Sequence, residues 1–195
     1  MKRILPLTVL LSVLLLAKAS SIQACQIIKS TPPEELVAQA DVIVRATADS
    51  YDKAPEGNLR TTGLPESTVK FKIVETLKGK VSEPLLIYGY LSDKDDYNDV
   101  PVPYTFIRRG GRAGSCIANS YKEGADFLLF LKKRDGKLTP YWSALMPVNE
   151  QLRSSDDEWL LWIKKQLKIT LKKKEQTKLN AFLFSGYSLF FKFAD

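Results

Sequence analysis

Cys25 is the residue with the clearest chemical potential, because one signal-peptidase cut would place it at the N-terminus of the mature protein. A basic start is followed by the apolar run Ile4 to Leu16 and then by mostly small residues up to Ala24. This order is typical of a secretory signal peptide, and the apolar run is too short to span a bilayer stably. Cleavage after Ala19 and cleavage after Ala24 both suit the sequence. We expect residues 1–24 to be removed, which gives Cys25 a free α-amine.

The chain has one other cysteine, Cys116. In an exported protein, a disulfide between Cys25 and Cys116 is chemically permitted. It would close a loop of about 90 residues and stabilise the fold by roughly 4–5 kcal/mol in the chain-entropy account. Acylation of Cys25, as in a lipoprotein, would leave Cys116 single, so the disulfide and the lipid anchor are alternatives. We expect the disulfide.

The absence of histidine from the sequence limits the chemistry that the protein can perform. It removes the most common general base, the most common zinc ligand and every Ser-His or Cys-His nucleophile. With both cysteines bridged, no thiolate is left to act as a nucleophile, and no pair of carboxylates lies in a recognisable motif. We therefore expect that the protein is not an enzyme and has no cofactor or metal of its own.

The positive charge of the chain is concentrated at its two ends. Of the formal net charge of +7, residues 1–24 carry +3 and residues 171–195 carry another +3, so that residues 25–170 are near +1. Nucleic acid is therefore not an expected partner. Residues 171–195 combine lysines with five of the nine phenylalanines, which suits a membrane surface or an extension outside the domain. We do not favour membrane contact through this tail or through a lipidated Cys25.

Two helices are predicted at the ends of the domain formed by residues 25–170, which is long enough for one core. Thr31 can cap a short helix that ends near Ala40. Ser155 can cap a second helix that ends near Ile169. The apolar stripe of this second helix consists of Trp159, Trp162, Ile163 and Leu167.

Runs of β-branched and alternating apolar residues predict five short strands between these helices. They cover residues 41–48, 68–77, 85–90, 127–131 and 137–142, and the segments 49–67 and 91–115 are predicted loops. The pattern indicates a mainly β fold. A five-stranded OB-fold-like barrel with a short N-terminal helix and a C-terminal helix is one closed solution at this size. Another small barrel or a sandwich has the same periodicity.

The predicted loop 91–115 contains two groups of charged residues. The acidic group is Asp93, Asp95, Asp96 and Asp99, and the basic group is Arg108, Arg109 and Arg112. Alternating carboxylates can hold calcium, but the glycine and closing glutamate of an EF-hand are missing, so we expect a solvated acidic loop. The arginines could hold an anion or pair with the aspartates, and we expect them to lie in a mobile surface loop.

Several segments occur in the order found in netrin-like domains. They are the cysteine at Cys25, a short helix, the strands 40–46 and 69–73, the segment 77–80, Cys116, Gly124 and the strand 127–130. From Cys25 to Asn149 the chain resembles a netrin-like domain and looks most like the N-terminal domain of the tissue inhibitors of metalloproteinases. The resemblance implies an OB-fold barrel in which Cys25 is bridged to Cys116, just before the fourth strand.

The resemblance also implies a mechanism and a partner. In the inhibitors the α-amine and carbonyl oxygen of the terminal cysteine chelate the catalytic zinc of the target protease. That role would fall to Cys25, while the Gln26 side chain enters the pocket beside the zinc and Cys116 holds the N-terminus in place. A zinc metalloprotease is therefore the expected partner, and the protein is expected to be secreted or periplasmic.

The sequence departs from these inhibitors directly after its first cysteine. Gln26 and Ile27 stand where the inhibitors have Thr or Ser and then a second cysteine, and the family's other bridges and cysteine-rich C-terminal domain are missing. The alternative function is a non-inhibitory, netrin-like module of the cell envelope that binds a protein or another ligand. In that alternative the protein is either free or lipid-anchored at Cys25.

Overall fold

Two sheets and three helices make up the part of the chain that the structure, a computed structural model, describes: residues 31–56, 66–113, 115–140 and 143–190. The helices are α1 (Pro33–Gln39), α2 (Arg109–Arg112) and α3 (Glu158–Phe190). The strands are β1 (Val42–Lys53), β2 (Thr68–Lys78), β3 (Leu85–Tyr88), β4 (Tyr90–Ser92), β5 (Ser120–Lys122), β6 (Asp126–Arg134), β7 (Lys137–Pro140) and β8 (Asn149–Gln151). The protein is therefore mainly β, as predicted.

β1 is the central strand of the larger sheet. The strand order is β3-β2-β1-β6-β7, β8 also pairs with β6, and all of these pairings are antiparallel. Val44 of β1 lies opposite Thr76 on β2 and Leu129 on β6. Its neighbour Ile43 is also fully buried. Consecutive buried apolar residues are typical of a strand that is covered on both faces.

Two apolar cores cover the two faces of this sheet, and alternate residues of β1 and β6 contribute to each. On one face, Ile43, Leu128 and Phe130 pack beneath α1 and α3. On the other face, the rings of Phe71, Tyr121 and Phe127 meet edge to face, with 5.1 to 6.0 Å between their centroids. This arrangement explains why Phe127 to Leu131 is an unbroken apolar run.

The sheet does not close into a barrel within the described residues. β3 and β7 are its two outer strands, and their Cα atoms come within 8 Å of one another, but no strand pairing joins them. Since every pairing from β3 to β7 is antiparallel, these two strands run in the same direction. The five predicted strands are all present, whereas the closure of a barrel is not found.

Several boundaries differ from the prediction because long-range pairing decides them. β1 continues to Lys53, into the predicted loop 49–67. β5 and β8 lie where the sequence predicts no strand, and β5 pairs in parallel with β4 to form the small second sheet. Each of these two strands has only three residues. A strand this short shows no periodicity, so its partner must be known before it can be recognised.

The C-terminal helix α3 begins later and ends much later than predicted. Its cap is Asp157, whose carboxylate accepts from the backbone N–H of Trp159 at 2.9 Å, and not Ser155. The helix continues to Phe190, through most of the segment predicted as a separate tail. The sequence from 170 to 185 contains no proline or glycine and is rich in strong helix formers. None of the helices in the described ranges combines the length and the apolar content needed to cross a bilayer.

α3 is attached to the sheet through its first turns, and Trp159 is the centre of this contact. The Trp159 side chain is fully buried and stacks on Tyr104 and Trp162, with ring centroids 5.0 and 5.2 Å apart. Ile163 lies one turn further along the helix and is also fully buried. Leu161, on the opposite side of the helix, is 51% exposed. The predicted apolar stripe therefore does face the core.

We expect Trp159→Ala to lower the free energy of unfolding by about 3–5 kcal/mol, because it leaves a cavity between α3 and the sheet. The matched control is Leu161→Ala, which truncates an exposed apolar residue of the same helix turn and should change the free energy by less than about 0.5 kcal/mol. Urea denaturation followed by circular dichroism measures both. Equal losses for the two variants would contradict the packing of Trp159 at the centre of the contact between α3 and the sheet.

Candidate functional site

Only Cys116 of the three predicted site residues lies in the described part of the chain. Cys25 and Gln26 lie outside the described residues, so the disulfide and the zinc-binding role stay predictions. Cys116 is half-buried between α2 and β5, and its backbone has a φ of 62°. A non-glycine residue in this left-handed region is uncommon and is held there by its surroundings.

Backbone hydrogen bonds hold Cys116 in this conformation. Its carbonyl oxygen accepts from the N–H of Leu145 at 2.8 Å, and the carbonyl oxygen of Leu145 accepts from the N–H of Ile107 at 2.9 Å. Leu145 also has a φ of 62°. The backbone of Leu145 thus ties the segments around Ile107 and Cys116 to a part of the chain about 30 residues further along. The backbone to which the predicted disulfide would attach is therefore fixed in position.

Arg108 bonds to the backbone at residues 118 and 120, shortly after Cys116 in the chain. Its side chain is fully buried, whereas the sequence predicts a mobile surface loop here; that prediction is wrong for Arg108. Nη1 pairs with the carboxylate of Asp96, and Nε donates to the carbonyl oxygen of Asn149 at 3.0 Å. Nη2 donates to the carbonyl oxygens of Ala118 at 3.3 Å and Ser120 at 2.8 Å. One guanidinium therefore links the loop, β5 and β8.

Aromatic rings of the core that contains Phe71 cover the buried guanidinium. The Cζ atom of Arg108 lies 5.6 Å from the ring centroid of Tyr121 and 5.4 Å from that of Phe127. Both distances are within the range of a cation–π interaction. Burial raises the pKa of Tyr121 to about 12, so its hydroxyl stays neutral and accepts from Asn149 Nδ2 at 2.9 Å. The network therefore continues directly into the apolar core.

Glu150 is a second buried ionisable side chain in the same network. One carboxylate oxygen accepts from the backbone N–H of Arg108 at 3.2 Å, and the other accepts from Asn98 Nδ2 at 2.9 Å. Asn98 Nδ2 also donates to the carbonyl oxygen of Phe106 at 2.8 Å. Burial raises the pKa of the Glu150 carboxyl to about 7. Glu150 lies in β8, whose three residues are all polar and buried. Because such a run has no alternation of apolar and polar residues, the sequence does not indicate its burial.

Two further aspartates of the predicted acidic loop, Asp95 and Asp99, are also paired with cations. Asp95 accepts from Lys122 Nζ at 2.8 Å, and Asp99 accepts from Arg109 Nε at 3.0 Å and from Arg112. These two guanidinium groups lower the pKa of Asp99 to about 2. The alternative in which the arginines pair with the aspartates is therefore confirmed. Across the described ranges, no group of three acidic or cysteine side chains is arranged to hold a metal.

The network around Arg108 is suited to holding a segment in place rather than to reacting. Its cations face carboxylates and backbone carbonyls, and its buried tyrosine is neutral. Comparison of the chain with known protein families finds no match, and a search of curated proteins finds none either.

We expect Arg108→Ala to lower the free energy of unfolding by about 3–5 kcal/mol, because it removes one partner of a buried ion pair and leaves buried carbonyl oxygens without donors. Arg109→Ala is the matched control, since the Arg109 side chain is 74% exposed and its ion pair with Asp99 lies at the surface. The control should cost at most about 1 kcal/mol. Thermal or urea denaturation of both variants tests the difference, and a mild effect of Arg108→Ala would contradict it.

The free energy of unfolding should fall as the pH rises from about 4.5 to about 8. The folded protein keeps the Glu150 proton up to a pH of about 7, whereas the unfolded chain releases it near the ordinary pKa of 4.5. The stabilisation that comes from the higher pKa of Glu150 in the folded protein is therefore fully present below pH 4.5, and it is lost as the pH passes 7. The total change is roughly 3 kcal/mol.

Urea denaturation at several pH values measures the slope of the free energy of unfolding against pH. Glu150→Gln is the control, because the glutamine side chain is neutral at every pH. The slope should disappear in the variant. Because the chain has no histidine, no imidazole titrates in the same range. A free energy of unfolding that stays constant or rises with pH in the natural protein would exclude this role of Glu150.

Proposed function

We propose that this protein is an exported inhibitor of zinc metalloproteases that acts through the N-terminus of its mature chain. The free α-amine and the carbonyl oxygen of Cys25 chelate the zinc of the target protease. The side chain of Gln26 enters the adjacent pocket, and a disulfide from Cys25 to Cys116 keeps the N-terminus in position. The protein itself carries no cofactor and catalyses no reaction.

The strand order supports the fold that this proposal requires. β1, β2, β3, β6 and β7 form one continuous antiparallel series whose outer strands approach one another. The OB-fold is a five-stranded, partly open barrel. We propose that these five strands are the strands of an OB-type barrel, with its open seam between β3 and β7.

The single observation that carries the proposal is the fixed backbone at Cys116. A chelating N-terminus binds tightly only if little conformational freedom is lost when it binds. The hydrogen bond from Leu145 to the Cys116 carbonyl, together with the Arg108 network, supplies a rigid attachment point. A disulfide to this point would transfer the rigidity to Cys25.

The donor chemistry of Cys25 suits a catalytic zinc. Such an ion keeps an exchangeable position for water or substrate, which an amine and a carbonyl oxygen can occupy. An α-amine has a pKa of about 8, so its neutral form is accessible near pH 7. Because the sulfur atom is engaged in the disulfide, the main-chain atoms are left as the donors.

A non-inhibitory binding module of the cell envelope is the second candidate. The observation that favours it is a cleft between β3 and β7, lined by lysines and apolar side chains. This function needs no free Cys25 amine and is compatible with a lipid-anchored N-terminus. It predicts that the mature protein leaves metalloproteases fully active.

We expect one additional alanine before Cys25 to reduce inhibition at least 100-fold, because the amine at the zinc is replaced by an amide nitrogen. The assay is cleavage of a fluorogenic peptide by a panel of zinc metalloprotease catalytic domains. The control is the mature chain beginning at Cys25, and its intact mass before and after reduction establishes its N-terminus and disulfide. The melting temperatures of the two forms should agree.

Undiminished inhibition by the extended form would refute chelation by the N-terminus. Full protease activity in the presence of the chain beginning at Cys25 would exclude the inhibitor and favour the binding module. A lipid mass on Cys25 would have the same consequence.

A further inference from the structure

The edges of β3 and β7 face one another across a cleft of about 510 Å³. Leu86, Tyr88 and Leu138 are among the residues that line it. Tyr88 is 37% exposed, which is high for so large an aromatic side chain. None of the residues that line the cleft belongs to the segment around Cys116 or to the Arg108 network. The cleft is therefore a separate surface from the proposed inhibitory site.

The edge of β3 directs unpaired backbone groups toward this cleft. Gly89 N–H donates to the carbonyl oxygen of Ser67 at 3.1 Å, in the same register that pairs Ile87 with Val69. In an antiparallel pair, hydrogen-bonded and non-hydrogen-bonded positions alternate. Leu86 and Tyr88 are therefore at non-hydrogen-bonded positions. Their N–H and C=O groups point away from β2 and toward the cleft.

The edge of β7 also directs unpaired backbone groups toward the cleft, at Leu138. Leu138 lies opposite Lys133 of β6, and the N–H of Lys133 donates to the carboxylate of Asp41 at 2.9 Å, on the β1 side. Lys133 therefore does not bond with Leu138 through its N–H, and the backbone groups of Leu138 point away from β6. Two parallel strand edges thus present free donors and acceptors to one cleft.

The charge of the cleft is positive. Lys80, Lys133 and Lys137 line it, all three are exposed, and no acidic residue is among the described residues that line it. The carboxylate of the nearby Glu83 instead accepts from the backbone N–H of Ile73 at 3.1 Å. The described ion pairs do not include any of the three lysines. A ligand of this cleft should therefore carry negative charge.

We propose that the cleft between β3 and β7 binds an extended acidic segment of a partner protein, which adds as a strand along the β3 edge. The backbone of the segment pairs with Leu86 and Tyr88, as in other cases of strand addition. Its acidic side chains lie next to the three lysines. This site does not depend on the inhibitory role of Cys25.

The same charges disfavour other occupants of the cleft. A second copy of this chain would bring like charges together, and edge lysines are a common device against such pairing. The segment 57–65 of this chain contains Arg60 and no acidic residue, so it offers no complementary charge. An acidic segment from another protein is the occupant that complements both the backbone edge and the lysines.

The test uses the full mature chain and a fluorescein-labelled peptide, Glu-Val-Glu-Val-Glu-Val-Glu, with fluorescence anisotropy as the readout. We expect saturable binding that the combined variant Lys80→Glu/Lys133→Glu/Lys137→Glu weakens more than tenfold. That variant should instead bind the peptide in which lysine replaces glutamate. The matched control, Lys94→Glu/Lys165→Glu/Lys168→Glu, changes the net charge equally at exposed lysines elsewhere and should bind the acidic peptide within twofold of the natural chain.

A second peptide, N-methylated at alternate backbone nitrogens, separates strand addition from simple charge attraction. Its binding should be at least tenfold weaker. Equal binding of the methylated peptide, equal losses in the two lysine variants, or no binding by the natural chain would each overturn the proposal. Self-association that the cleft variant alone abolishes, measured by sedimentation, would assign the cleft to a second copy instead. The form extended before Cys25 should bind the acidic peptide normally, so this proposal and the inhibitory one can fail separately.

Discussion

The structure depends above all on the burial of the Arg108 guanidinium, because a buried cation is tolerated only when its donors are satisfied. Asp96 supplies the opposite charge, while carbonyl oxygens of the segment 118–120 and of Asn149 accept the remaining donors. These acceptors come from parts of the chain that have little regular structure of their own. Satisfying one side chain therefore orders the long loop, β5 and β8 together.

This constraint has a direct consequence for the proposed inhibitory site. In its described residues, the segment that carries Cys116 consists of the short helix α2 and turns, and such a segment has few backbone bonds within itself. Its position is set by Arg108 and by the hydrogen bonds through Leu145. The same network buries Glu150 with a raised pKa. The fixed backbone at Cys116 and the burial of Glu150 thus have one physical origin.

The larger sheet supplies a different kind of surface. Its strands β1 and β6 are covered on both faces by apolar cores, whereas its two outer edges pair with no further strand of the described residues. Both edges face the same cleft, because β3 and β7 curve toward one another without pairing. Lysines along the cleft discourage self-pairing and favour an acidic ligand. The inhibitory N-terminus and the cleft are therefore proposed as independent functions of one scaffold.

The sequence by itself determined those elements whose signal is local: the β-rich character, the short helix before β1, the five main strands and the core-facing stripe of α3. The β-branched and alternating apolar residues that form these elements indicate directly which positions are buried. Only the tertiary structure decided the roles of Arg108 and Glu150, the short strands β5 and β8, and the meeting of the two sheet edges. A buried charge or a three-residue strand depends on partners far away in the chain, and composition and spacing carry no record of those partners.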